Sequence, residues 1–263
     1  MTLAHARAGA GRRPLVLLHG LLGSARNLAT LARHLADRDA GLGIVSFDLT
    51  GHGASPPLPP GADAAALAAD VLASARALGL APPLTLVGHS LGGRVALQAA
   101  RLEPAAVGLV VLLDIAPGPL AADGEVSHVL EILLRMPATF VSRGHARTRL
   151  TSAGLAPALA DWLLLNLAPA GDGHRWRLDR RAVADLHARV AAEDLWPIVE
   201  PPRRFAMRCV RGGASDYVGE GDARRLQGTG CPVTTIAGAG HFLHAEQPQA
   251  VGEAVAAGLA LTP

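Results

Sequence analysis

The stretch Leu84–Gly93, reading L-T-L-V-G-H-S-L-G-G, constrains this chain more than any other. Four apolar or β-branched residues of buried-strand character meet G-x-S-x-G at Gly88, Ser90 and Gly92, and a helix-compatible segment follows directly. A serine held at the tip of so tight a strand-to-helix turn leaves no room for side chains two residues to either side, so glycine is demanded there. Ser90 then stands exposed above a sheet, and the backbone N–H of Leu91 lies at the positive end of the next helix, available to an oxyanion.

The rest of the chain supplies a scaffold for such a turn. Apolar runs at Leu15–Leu18, Ile44–Phe47, Leu84–Val87 and Val107–Leu113 alternate with amphipathic segments, as when Leu28, Leu31, Ala32 and Leu35 fall on one helical face. This alternation predicts an α/β fold with a mostly parallel sheet covered by helices on both faces. Leu3–Arg7 reads as a candidate edge strand. From 117 to 196 the alternation stops and the pattern is helical without an intervening strand, predicting a helical cap inserted into a core made of 1–116 and 197–263. One of its helical patterns runs through Leu159, Trp162, Leu163, Asn166 and Leu167. Strand character resumes at Phe205–Val210 and Val233–Ile236, and a last helix runs from Pro248 to Leu259.

A serine hydroxyl is a poor nucleophile until a base takes its proton. Of the 11 histidines, His241 is the best base, because it follows Ala237–Gly240 directly after the last expected strand, at the sheet edge where Ser90 emerges. His244 reads as a packing or surface residue. Two carboxylates compete to orient the imidazole: Asp114 ends the strand after the Ser90 helix, and Asp216 lies just past the strand before His241. Both preserve the order serine, acid, histidine. The second oxyanion donor is expected from Leu21, in the side-chain-poor loop His19–Ser24.

Other groups read more plainly. His19, His52 and His89 sit in glycine-flanked turns and are expected to be structural, and no spacing of Cys, His or carboxylates predicts a metal or cofactor. The 24 basic residues are all arginine, and a formal charge of +2 without a basic run argues against nucleic acid. Arg175, Arg177, Arg180 and Arg181 are expected to form a solvated face, with steering of an anionic acyl-CoA as the functional alternative. Trp162, Leu163, Leu164, Phe140 and Trp196 are candidates for an acyl pocket, against a plain core role. Cys209 and Cys231 are expected as buried free thiols in a reducing, cytoplasmic setting. No leader or membrane-spanning segment is expected.

The motifs L-L-H-G-L-L-G-S, D-L-T-G-H-G-x-S-P, V-G-H-S-L-G-G and A-G-A-G-H-F-L-H-A-E-Q-P together resemble the α/β-hydrolase superfamily. V-L-L-D-I-A-P, N-L-A-P with H-R-W-R-L-D, and G-G-A-S-D-Y-V resemble more narrowly the YbfF-type bacterial esterases and their mitochondrial relatives. The resemblance implies a cofactor-free serine esterase or thioesterase acting on small acyl esters. Ser90 would be nucleophile and His241 base, with the amides of Leu21 and Leu91 holding the oxyanion. The subfamily motif favours Asp114 as acid with Ser215 in support, whereas the broader superfamily pattern favours Asp216. Lyase or synthase chemistry at a carbon–carbon bond, or non-catalytic ligand binding, are the alternatives the fold allows.

Overall fold

The computed structural model describes residues 2–121 and 124–259. Seven strands form one sheet: β1 (His5–Ala8), β2 (Arg13–Leu18), β3 (Leu42–Phe47), β4 (Leu84–His89), β5 (Val107–Leu113), β9 (Ala206–Gly212) and β10 (Val233–Ile236). Their order across the sheet is β1-β3-β2-β4-β5-β9-β10. β1 pairs antiparallel with β3 at the edge, and all other pairs are parallel. The edge strand lies where Leu3–Arg7 suggested one.

The parallel strands read as continuous apolar runs because both faces are covered. Val16, Leu18, Phe47, Leu86, Val110 and Leu112 face one core, and Leu15, Leu17, Ile44, Val87, Val111 and Leu113 face the other. Each such side chain contributes about 1.5–3 kcal/mol when fully buried. Helices α2 (Ala64–Ala77) and α3 (Leu91–Leu102) pack together on the first face. Helix α1 (Ala29–Arg38) packs against α11 (Pro248–Leu259) on the second.

Between β5 and β9 the chain forms the insertion, which carries α4 (Glu125–Arg135), α5 (Arg143–Ser152), α6 (Pro157–Leu163) and α7 (Arg180–Ala192). The expectation of an all-helical segment is corrected here. Strands β6 (Thr139–Phe140), β7 (Leu167–Ala170) and β8 (Gly173–Trp176) form a small antiparallel sheet in the order β6-β8-β7. The single helix expected through Leu167 stops at Leu163. A 3-10 turn, Leu164–Asn166, then turns the chain into β7, and Gly171 at φ +56° reverses it into β8. Short helices α8 (Trp196–Val199), α9 (Glu220–Gly228) and α10 (Leu243–Glu246) complete the structure. Among the described residues no helix is long and apolar enough to cross a membrane.

The two ends of the insertion lie side by side. Leu195 N–H donates to Pro117 O (2.9 Å) and Leu120 N–H to Ala191 O (2.8 Å). Arg94 of α3, fully buried, donates to the carbonyls of Ala116, Gly118 and Glu193, so one guanidinium holds both ends.

Candidate active site

Ser90 directly follows β4 with φ 50° and ψ −116°, a positive-φ conformation that an L side chain rarely adopts. The flanking glycines make it sterically feasible. A Cβ on Gly88 would lie 2.2 Å from Gly92 O, and one on Gly92 would lie 2.3 Å from Leu18 O. Side chains at either position collide with backbone, as the spacing of the motif predicts. The Ser90 carbonyl then accepts from Gly93 N–H (2.9 Å) as α3 begins.

His241 follows β10 in a loop fixed at three points. Gly240 N–H donates to Glu246 (2.6 Å), Gln247 Nε2 donates to Ala237 O (2.9 Å), and His89 Nε2 donates to His241 O (2.8 Å). His241 and Ser90 line one cavity, with relative exposures of 8% and 7%. The ring of Tyr217 stacks on the imidazole at 3.6 Å between centroids and 14° between planes.

The structure brings Asp114, and not Asp216, to this imidazole. Asp114 is fully buried at the end of β5, also at positive φ, 51°. Its backbone N–H donates to Val210 O (2.9 Å), which sets the carboxylate beneath the end of β9. Asp114 Oδ1 accepts from Gly212 N–H (2.8 Å), and Oδ2 accepts from His241 Nδ1 (2.8 Å) and from the Ser215 hydroxyl. A carboxylate only accepts, so Nδ1 carries the proton and Nε2 is left with a lone pair. Asp216 is exposed at the cavity rim and makes no hydrogen bond within the described residues.

The loop after β2 carries the other expected donor. Neither Leu21 nor Leu91 donates its backbone N–H to another group within the described residues. Leu22 adopts φ 62°, and its carbonyl accepts from Asn166 Nδ2 of the insertion (2.7 Å). Asn166 is buried to 5% exposure, so a side chain of the insertion fixes the turn that carries Leu21. Sequence reasoning did not single out this contact. Its signal was one amide in the apolar run from Leu163 to Leu167.

Four further histidines, His19, His52, His89 and His244, are buried close to these loops. His19 Nδ1 donates to Gly20 O (2.8 Å) while its Nε2 accepts from Leu49 N–H (3.0 Å), which fixes a neutral ring bracing the loop before Leu21. Burial holds His19 and His244 down at about 4 and His52 at about 3, and pushes His89 well below the ordinary value. His244 is packed against His89 at 4.3 Å between ring centroids, so of its two expected settings it takes the buried one. Among the described residues no group of three or more His, Cys, Asp or Glu is arranged to hold a metal ion.

For two further groups the structure sides with the plainer expectation, Trp162 excepted. Of the proposed acyl-pocket residues, only Trp162 lines the recess beside Ser90; Phe140 packs edge-on against Trp176 within the insertion, and Trp196 carries Arg225 over its ring. The arginines of the insertion do not line the cavities at Ser90 or His241. Arg180 instead donates to the carbonyls of Leu133 and Met136, which closes the end of α4.

Residues 15–254 match the Alpha/beta hydrolase family. The chain belongs to that family. It is 32% identical over 250 residues to "Esterase YbfF" of Escherichia coli, covering 92% of this chain and 91% of the relative. It is 30% identical over 257 residues to "sn-1-specific diacylglycerol lipase ABHD11" of Mus musculus, covering 94% and 80% respectively. Among solved structures, "Marine microorganism esterase" superposes with a TM-score of 0.86 at 24% identity, covering 97% of this chain and 98% of that one, a likeness of fold. The alpha/beta hydrolase sheet order accounts for the site: β4, β5 and β10 deliver Ser90, Asp114 and His241 at their carboxyl ends, where open α/β sheets bind ligands.

Proposed function

We propose that the chain is a carboxylesterase-type hydrolase that cleaves esters or thioesters of short-to-medium acyl chains through an acyl-enzyme. The observation that carries the reading is the bond from His241 Nδ1 to Asp114, which leaves Nε2 free to act as a base in a cavity shared with Ser90. Relatives named esterase and lipase support the reaction class.

In this reading Ser90 Oγ attacks the carbonyl carbon as His241 Nε2 takes its proton, and Asp114 stabilises the imidazolium. The free amides of Leu21 and Leu91 bind the oxyanion, each worth roughly 3–4 kcal/mol in the transition state. Ser215 supports Asp114 by donating to the oxygen that also receives His241. The protonated His241 passes its proton to the departing alcohol or thiol. Water then attacks the acyl-enzyme with His241 again as base. No cofactor is required by any step. The insertion, 117–196, acts as a cap over the reacting groups. Two buried, unpaired thiols, Cys209 and Cys231, support a reducing, cytoplasmic setting.

The test is Ser90→Ala assayed on p-nitrophenyl acetate, with a fluorophosphonate probe of serine reactivity. Loss of both turnover and labelling is the expected result. Wild-type turnover by the variant would reject Ser90 as the nucleophile.

A further inference from the structure

The space around Ser90 is divided, and the two parts differ in size and wall chemistry. On one side lies a recess of about 30 Å³ that holds Ser90 and His241 together, walled by the Gly20–Leu22 turn and, apart from Glu125 at the border it shares with the second space, chiefly by the apolar side chains of Val129, Leu159, Trp162 and Phe242. On the other lies a chamber of about 380 Å³ that reaches His241 and Tyr217 but not Ser90. A small gap of about 20 Å³ connects Ser90 and Leu91 to Tyr217 and His187. Val126, near the start of α4, is the one residue among those described that lines all three spaces.

Resting on the reading of Ser90 as nucleophile and His241 as base, we infer that the substrates are esters of a very short acyl group with a larger, non-anionic alcohol, and that Val126 divides the two. The acyl carbon stays bonded to Ser90 Oγ until water releases it, so the acyl chain occupies the space that Ser90 itself walls. The alcohol oxygen takes its proton from His241, which borders both spaces, and departs; with the acyl chain in the recess that Ser90 walls, the alcohol substituent is left the chamber.

Volume then sets the lengths. One water-sized group needs about 10–15 Å³ of such space. The recess of about 30 Å³ therefore holds about two such groups beyond the ester carbon, and a longer chain meets Trp162 and Leu159. The chamber is more than ten times larger and accepts the greater part of the molecule.

Charge narrows the alcohol. Among the described residues the acidic side chains of the chamber wall are Glu125, Asp216 and Asp222, and no arginine lines it. His187 is held below its ordinary value by burial and by Arg94, so it adds no lasting positive charge near neutral pH. A carboxylate or phosphate on the alcohol meets a wall of its own sign. The arginines at 175, 177, 180 and 181 lie outside this wall and offer an acyl-CoA nothing there.

Hexyl acetate and methyl heptanoate test the division, because they are constitutional isomers with the long chain on opposite sides of the ester. Each methylene denied burial costs about a factor of four, so the wild-type kcat/KM for hexyl acetate should exceed that for methyl heptanoate about 30-fold or more. Val126→Ala should narrow the ratio at least about fivefold by raising turnover of methyl heptanoate. Trp162→Ala, which opens the far end of the recess, should do the same and serves if the first variant does not fold. For charge, acetates of 3,3-dimethylbutanol and of 4-hydroxy-2,2-dimethylbutanoate should differ about tenfold against the anion at low salt, less at high salt.

Equal rates for the two isomers, or a preference for methyl heptanoate, would overturn the division. Equal rates for the neutral and anionic alcohols would overturn the charge assignment. Either result with p-nitrophenyl acetate still hydrolysed and Ser90 still labelled leaves the nucleophile reading standing. Loss of all turnover together with loss of labelling would remove both.

Discussion

Asp114→Asn removes one charge and almost no volume, and the hydrogen bonds around this side chain decide which tautomer His241 then adopts. The native carboxylate accepts three bonds: Gly212 N–H on Oδ1, and His241 Nδ1–H and the Ser215 hydroxyl on Oδ2. An amide can place its NH2 at only one of these oxygens. At the Oδ1 position it would face Gly212 N–H donor to donor, with no room to turn away because Asp114 is fully buried. At the Oδ2 position Ser215 can rotate its hydroxyl to accept, so this orientation wins. The NH2 then points at His241 Nδ1, which must become an acceptor, and the proton moves to Nε2, where the base is needed. The wrong tautomer and the lost counter-charge together should lower kcat by on the order of 10⁴, about 5 kcal/mol of transition-state stabilisation. The assay is steady-state and burst-phase hydrolysis of p-nitrophenyl acetate, with circular dichroism to verify folding. Asp216→Asn, at an exposed residue without a hydrogen bond to His241, should cost less than about threefold on the same neutral ester. A thousandfold loss for Asp216→Asn beside a mild loss for Asp114→Asn would refute the tautomer argument and exchange the two carboxylates.

Packing, linkage and the cap contact each give a further outcome. Gly88→Ala should destabilise by about 3 kcal/mol, because its Cβ would meet Gly92 O at 2.2 Å, whereas Gly221→Ala, in α9 with nothing within 4 Å, should be neutral or stabilise by about 0.5–1 kcal/mol in urea unfolding. The buried rings of His19, His52, His89 and His244 bind protons less readily folded than unfolded, so the unfolded chain takes up more protons as pH falls below 6.5. Stability is therefore highest above that value and falls toward pH 4; a urea midpoint unchanged between pH 7.5 and pH 5 would contradict it. Asn166→Ala frees the Leu22 carbonyl and loosens the turn beside Leu21, and should lower kcat about tenfold with KM within about twofold. Asn166→Asp, which sets a carboxylate against that carbonyl, should be worse, and an unaltered kcat in both would deny the cap any hold on the oxyanion donor.

The core was legible because its signals are local. Leu15–Leu18 and Val107–Leu113 are apolar throughout because both faces of their strands are covered, and the glycines around Ser90 are required by contacts at the turn itself and with the neighbouring strand. The choice between Asp114 and Asp216 was not local, since both follow strands. It depends on β9 lying beside β5, which pairs Leu113 with Val210 and sets Asp114 under Gly212. The strands of the insertion escaped notice because two to four residues interrupted by Pro169 and Gly171 show no period. The stacking of Tyr217 on His241 and the position of Val126 between the cavities arise from elements far apart in sequence.

Arg94 and the paired ends it grips make the insertion a detachable crown. Pro117 and Leu195 already touch, so the 77 residues between them leave and return at one point, and none of the strands described there joins the seven-stranded sheet. A different crown grafted at the same two points should leave Ser90, Asp114 and His241 at the ends of their strands, but it must supply a donor in place of Asn166 to hold the Leu22 turn. Swapping this segment between relatives is therefore a direct route to altered selectivity, provided the graft keeps carbonyls for that guanidinium to hold.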